Sequence, residues 1–172
     1  MADYKKVIKD KKLEAGNLMN DSQLAKCNGI IHTASVASGV VGAVPIFIAD
    51  AIPISAAQVT MVITLGKVFG QKIEEAGAKS IIAAAASTFV GRSFVKLIPI
   101  VGWEVSAVVA AGVTEAIGWT VALDFAKAYR QEYLRQQNAK EAADAYAKAN
   151  YYKKKNKYED SDEEAEDFSD ID

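Results

Sequence analysis

The sequence predicts an all-α protein, and three observations carry the prediction. The chain is rich in alanine, the strongest helix former, and has only three prolines. Hydrophobic residues make up 51% of it but aromatic residues only 9%, so we expect a core of small and aliphatic side chains. Small residues recur at every fourth position, which lets helices approach closely. We expect two proline-hinged helical hairpins, followed by a long amphipathic C-terminal helix.

The first hairpin is predicted to begin near residue 21. Asp21 or Ser22 can cap its first helix, because a short oxygen side chain accepts hydrogen bonds from the first turn. That helix ends before Pro45, since proline lacks the backbone N–H. Asp50 is the one carboxylate of the hinge. Pro53 is well placed to start the second helix, expected to run to about residue 72. Two rows of small residues line the first helix: Ala34, Ser38 and Gly42, and Ser35, Gly39 and Ala43.

The second hairpin is expected from residue 74, with a helix to about residue 96. A second hinge follows, which contains Pro99 and Gly102. Its Ile98-Pro99-Ile100 lies 46 residues after Ile52-Pro53-Ile54. This repetition favours an internal duplication of one hairpin design.

Charge divides the chain into four parts. Residues 1–20, with five lysines, are expected to form a basic N-terminal arm that is solvated and partly helical, or that rests on anionic lipid. Residues 21–135 form the helical-hairpin domain, and residues 136–158 a helical extension with a lysine and tyrosine cluster. Residues 159–172 hold nine carboxylates and no basic residue, which predicts a disordered acidic tail. A basic body with an acidic tail is typical of interaction proteins.

The residue set does not favour an enzyme. One cysteine, Cys27, and one histidine, His32, exclude a multi-cysteine metal site and make a Ser-His triad unexpected. We expect Cys27 to be a buried hydrophobe and His32 to be a hydrogen-bonded core residue. The segment Gly77-Ala78-Lys79-Ser80 lacks the glycines of a phosphate-binding loop. We therefore expect no catalytic residue, no cofactor and no metal.

Two arrangements of the hairpins are compatible with their hydropathy. Residues 27–49 hold 23 residues without Asp, Glu, Lys or Arg, long enough to span a bilayer. Arg92 and Lys96 oppose a span by the third helix, because each costs about 2.5–3.5 kcal/mol near a helix centre. The hairpins then either form a soluble bundle or dip into or lie on a bilayer. If they lie side by side and parallel, Asp50 should pair with Arg92 or Lys96.

The segment from about residue 30 to residue 129 resembles bacterial family 697 of domains of unknown function. The residues that carry the likeness are Pro45, Asp50, Pro53, Gln58, Met61 and Gly70, and then Pro99, Gly102, Gly118 and Trp119. Members of that family occur alone or behind small GTPase domains and are described as membrane-associated. The resemblance implies a GTPase as a separate partner, because this chain carries no GTPase motif.

These observations lead to two functional hypotheses. The first is a non-enzymatic helical module that associates with the cytoplasmic face of a membrane, in which Lys153, Lys154, Lys155 and Lys157 contact anionic lipid or a partner. The alternative is a soluble helical-bundle adaptor that binds a separate GTPase or a similar protein partner through the hinge end. The charged N-terminus predicts no cleavable signal peptide and hence a cytoplasmic location. A homo-oligomer is left open, and nucleic acid is not an expected partner.

Overall fold

The structure, a computed structural model, describes residues 4–42, 51–90 and 103–166, with side chains described for residues 6–39, 56–87, 108 and 110–156. These residues form five helices and no strand. The helices are α1 (Tyr4–Leu18), α2 (Asp21–Gly42), α3 (Ala51–Val68), α4 (Glu75–Val90) and α5 (Trp103–Glu166). The predicted all-α fold with a long C-terminal helix is confirmed. Both hinges, with Pro45, Asp50, Pro99 and Gly102, and the expected pairing of Asp50 with Arg92 or Lys96 lie outside the described residues.

The chain separates into two compact units, Met1–Tyr129 and Arg130–Asp172. The first unit contains the packed core, which is built from alanine, valine, isoleucine and leucine with a few larger side chains. Trp119 is the largest of its fully buried side chains, and Ile31, Met61, Leu65 and Leu123 are also fully buried. A core of this composition agrees with the high aliphatic and low aromatic content of the sequence.

A reciprocal cap joins α1 to α2. The amide oxygen of Asn20 accepts a hydrogen bond from the Gln23 backbone N–H at 2.9 Å, and the Gln23 side-chain oxygen accepts one from the Asn20 N–H at 3.2 Å. Such an exchange satisfies two backbone donors at a helix start. The capping residue of α2 is therefore Asn20, and not Asp21 or Ser22 as predicted.

The N-terminal segment forms a helix that packs against the core, where the sequence predicts a solvated, partly helical arm. Ile8 and Ala15 of α1, and Met19 just after it, are buried in the core. Two ion pairs join α1 to α5: Lys12 Nζ to Glu115 Oε1 at 2.9 Å, and Lys127 Nζ to Glu14 Oε1 at 2.7 Å. The periodic apolar positions were visible in the sequence, but the salt-bridge partners lie about a hundred residues away.

The second of these pairs shifts both ionisation equilibria. The hydrogen bond from Lys127 holds the pKa of Glu14 below its usual value, and the same hydrogen bond raises the pKa of Lys127. Both side chains are about half exposed, so solvent screening keeps their contribution to stability small. Lys12 has a further contact, because its Nζ lies 5.4 Å from the ring centroid of Trp119.

Helix α3 ends in a turn that requires glycine. The Gln71 N–H donates to the Gly66 carbonyl at 2.9 Å, and the Gly70 N–H donates to the Lys67 carbonyl at 3.2 Å. This pair of hydrogen bonds is the Schellman motif, whose central residue takes a left-handed conformation. Gly70 has a φ of 72°, which costs glycine nothing. The motif ends α3 at Val68, before the residue 72 expected from sequence.

Helix α5 approaches α2 and α3 through Gly118. A Cβ built at this glycine would lie 2.8 Å from Ile31 Cγ1 and 2.9 Å from Met61 Sδ. Real Cβ atoms do not come so close to other heavy atoms, so the absence of a side chain sets the distance between the three helices. Among the described side chains of α5, the buried ones lie between Gly112 and Ala126.

As far as its side chains are described, the second unit is a stretch of α5 without a buried face. Every residue from 130 to 156 is exposed. Strong helix formers and contacts between neighbouring turns support it, such as Gln136 Nε2 to Glu132 Oε1 at 3.0 Å and Gln137 Nε2 to the Tyr133 hydroxyl at 2.7 Å. The helix runs on to Glu166, into the segment expected to be a disordered tail.

Replacing Gly118 by alanine should destabilise the protein. Ile31 and Met61 are 1% and 2% exposed, so neither can move aside freely, and overpacking of this kind costs about 1–3 kcal/mol. Gly29→Ala in α2 is the control, because no heavy atom lies within 4 Å of its Cβ position. It should raise the free energy of unfolding by up to about 1 kcal/mol. Urea unfolding of both variants measures the difference, and equal midpoints would contradict the close approach.

Candidate functional site

Three described residues of the predicted motif, Pro53, Gln58 and Met61, lie on α3. Pro53 stands in the first turn of α3, where its missing N–H costs no helical hydrogen bond. Gln58 and Met61 follow on α3, and Met61 is buried where Gly118 of α5 approaches. Gln58 and Met61 thus take part in contacts between helices, and Met61 also lines an open groove.

A chain of three polar side chains crosses this region. Gln58 Nε2 donates to Thr114 Oγ1 at 3.1 Å, and the Thr114 hydroxyl donates to Ser38 Oγ at 3.1 Å. Ser38 and Thr114 are both 0% exposed, so each hydroxyl depends on this partner. A buried hydroxyl that has no hydrogen-bond partner lowers stability. This polar chain of side chains therefore fixes the register of α2, α3 and α5.

An open groove lies between α2 and α3. Its volume is about 910 Å³. The residues of α2 that line it are Ala25, Lys26, Gly29, Ile30, Thr33, Ala34 and Ala37, and those of α3 are Ala56, Ala57, Thr60, Met61, Thr64, Lys67 and Val68. Small residues therefore form most of both walls.

The threonines make these walls less polar than their hydroxyls suggest. Thr33 Oγ1 donates to the Gly29 carbonyl at 2.9 Å, and Thr64 Oγ1 donates to the Thr60 carbonyl at 2.7 Å. Both of these hydroxyls are bonded within their own helix. The groove is consequently a surface for van der Waals contact more than for hydrogen bonding.

The sequence contains a pattern that indicates the groove and that is not part of the two predicted rows. Ala25, Gly29, Thr33 and Ala37 form a third row of small residues at four-residue spacing, beside the two predicted rows. Ser35 and Ser38 of the predicted rows are buried inside the unit, whereas the third row lines the groove together with Ala34.

The reactive side chains are not arranged around the groove. Cys27 is buried, as predicted, and burial raises the pKa of its thiol to about 11. His32 is exposed, so the prediction of a core histidine is wrong. His32 directly follows buried Ile31, and successive side chains on an α-helix point about 100° apart. The side chain of His32 is therefore turned away from the core. Within the described residues, no three metal-binding side chains converge.

The predicted lysine cluster lies in the second unit. Lys153, Lys154 and Lys155 are exposed on α5, and the helix includes Lys157. The neighbouring rings of Tyr151 and Tyr152 are also exposed, and they meet edge to face with 5.7 Å between centroids.

No family model, no curated protein and no solved structure matches this chain. The likeness to family 697 stays a prediction.

Thr114→Val should lower the free energy of unfolding by about 1–3 kcal/mol, because it deprives Ser38 and Gln58 of their partner without changing the side-chain shape. Thr120→Val is the matched control. Thr120 is also buried in α5, but its hydroxyl donates only to the Ala116 carbonyl of its own helix. Chemical unfolding of both variants, with Ser38→Ala and the Ser38→Ala/Thr114→Val pair, gives the coupling energy. A coupling energy near zero between Ser38 and Thr114 would contradict the hydrogen bond between them in the polar chain.

Proposed function

We propose that this protein is a non-enzymatic helical adaptor that binds a helix of a protein partner in the groove between α2 and α3. The observation that carries the proposal is the open groove of about 910 Å³ with walls of small residues. Walls of this kind let a third helix backbone come close to two others.

The length of the groove agrees with a short helical segment. The lining residues extend from Ala25 to Ala37 on α2 and from Ala56 to Val68 on α3. At 1.5 Å per residue, each wall is roughly 18 Å long, which corresponds to about three turns of a docked helix. A helix bound in a groove makes contact through anchor side chains three, four and seven residues apart, and a segment of about three turns can present them.

The chemistry of the lining supports binding over catalysis. The described residues that line the groove offer hydroxyl, ammonium and apolar groups. They include no carboxylate, thiol or imidazole, the groups that usually act as a general base. The Cys27 thiol, with its raised pKa, is protonated at neutral pH. The resemblance to family 697 suggests a GTPase-type protein as the partner class.

Site-specific photo-crosslinking tests the adaptor function. A photoreactive phenylalanine replaces exposed Thr60, which lines the groove, and in a matched chain it replaces exposed Ala84 on α4. In native cells we expect a protein adduct from position 60, formed through a helical segment of the partner, and none from position 84. Ala37→Trp should abolish the adduct by filling the groove, whereas Ala84→Trp should not. Equal adducts at both positions, or none at position 60, would overturn the proposal.

A second candidate function is attachment to the cytoplasmic face of a membrane through the lysine cluster. None of the described helices is both long and apolar enough to cross a bilayer. Exposed Lys153, Lys154 and Lys155 beside two exposed tyrosines support binding at the surface. Near an anionic surface, each lysine contributes about 1 kcal/mol.

Liposome co-sedimentation tests this second function. The variant Lys153→Gln/Lys154→Gln/Lys155→Gln should bind vesicles that contain phosphatidylserine up to about a hundredfold more weakly than the wild type, because three charges are lost. Replacing Lys9, Lys72 and Lys140, which are exposed elsewhere, removes the same charge and should have a smaller effect. Complete recovery of the wild type in the supernatant at low salt would exclude it.

A further inference from the structure

The groove between α2 and α3 has two different ends. Lys26 on α2 and Lys67 on α3 line one end of it. Ala37 of α2 and Ala56 and Ala57 of α3 line the other.

Thr114 of α5 is hydrogen-bonded to Ser38 of α2 and Gln58 of α3. Gly118, one turn later, lies against Ile31 and Met61. Along α5 the contacts therefore move backwards on α2 and forwards on α3. The two helices run antiparallel, which brings the two lysines to the same end.

All charges on the described walls are positive. The lining residues include Lys26 and Lys67, and neither aspartate nor glutamate is among them. Both lysines are exposed, so an occupant can reach them without displacing core side chains. The groove is therefore apolar along its length and basic at one end.

We infer that the partner helix carries carboxylates at one end of its apolar face, and that Lys26 and Lys67 set its direction in the groove. This inference rests on the proposed adaptor function. Opposite charges across an interface fix orientation and suppress wrong arrangements more than they add affinity. An apolar groove alone would accept a helix in either direction.

The length of the groove makes the charge pair selective for direction. In about 0.1 M salt the Debye length is about 10 Å, which is shorter than the roughly 18 Å of each wall. Carboxylates placed at the alanine end are thus largely screened from the lysines, whereas carboxylates at the lysine end are not. Only one of the two directions gains the attraction.

Two designed peptides test the inference. Both are 14-residue helices with the same leucine and alanine face, and they carry either two glutamates or two lysines in their last turn. Binding is followed by the amide signals of Gly29 and Thr60, which line the groove. Each exposed ion pair contributes a modest amount, so the glutamate peptide should bind the wild type about three- to tenfold more tightly.

The charge-reversed protein makes the test specific. Lys26→Glu/Lys67→Glu should reverse the preference between the two peptides, and Lys26→Gln/Lys67→Gln should remove it. Lys9→Glu/Lys72→Glu changes two exposed lysines that do not line the groove, and this control should keep the wild-type preference. Circular dichroism of each variant verifies that it is folded.

The outcomes distinguish a failure of this inference from a failure of the proposed adaptor function. Equal binding of both peptides in the groove would overturn the role of the lysines and leave the adaptor function standing. No signal change at Gly29 and Thr60 with either peptide would count against both. Concentration-dependent self-association of the protein that the glutamate peptide reverses would make a second copy the occupant, and this would also overturn the inference.

Discussion

The fold of the first unit depends on the close approach of α5 to α2 and α3 at Gly118. The two side chains that face this glycine, Ile31 and Met61, are almost completely buried. Within the same contact region, the hydroxyl of Thr114 connects Ser38 of α2 to Gln58 of α3. An apolar contact thus sets the distance between the helices and a polar chain sets their register, and α2 and α3 are held side by side. The groove exists because that spacing is fixed.

Helix α1 completes this arrangement by a different kind of interaction. It buries few side chains, and two ion pairs with α5 add to its attachment. Partly exposed ion pairs contribute little individually and weaken in salt. The buried indole N–H of Trp119, near which Lys12 lies, has no hydrogen-bond acceptor among the described residues. The contact between α1 and α5 is thus less completely satisfied than the one around Gly118.

The sequence was informative about helices and less so about which faces they bury. Alanine content and proline placement predicted an all-α chain, whereas the Schellman turn at Gly70 ends α3 before the expected residue 72. The starting cap was assigned to Asp21 or Ser22 instead of Asn20, because several adjacent residues have suitable oxygen atoms. His32 was placed inside because its neighbours are apolar, although its position on the helix turns it outward. The groove could not be predicted in full, since three similar rows of small residues give no indication of which one stays uncovered.

The reactivity of the single cysteine, Cys27, reports local unfolding of α2. Cys27 is 0% exposed and its thiol has a pKa of about 11, so few molecules carry a reactive thiolate at neutral pH and none presents it to solvent while α2 is packed. A thiol reagent therefore reacts only through transient local unfolding, and the rate of labelling reports the free energy of that opening. Any ligand that fills the adjacent groove and stabilises α2 slows the reaction, so the native cysteine converts occupancy of the groove into a reaction rate without an engineered probe residue.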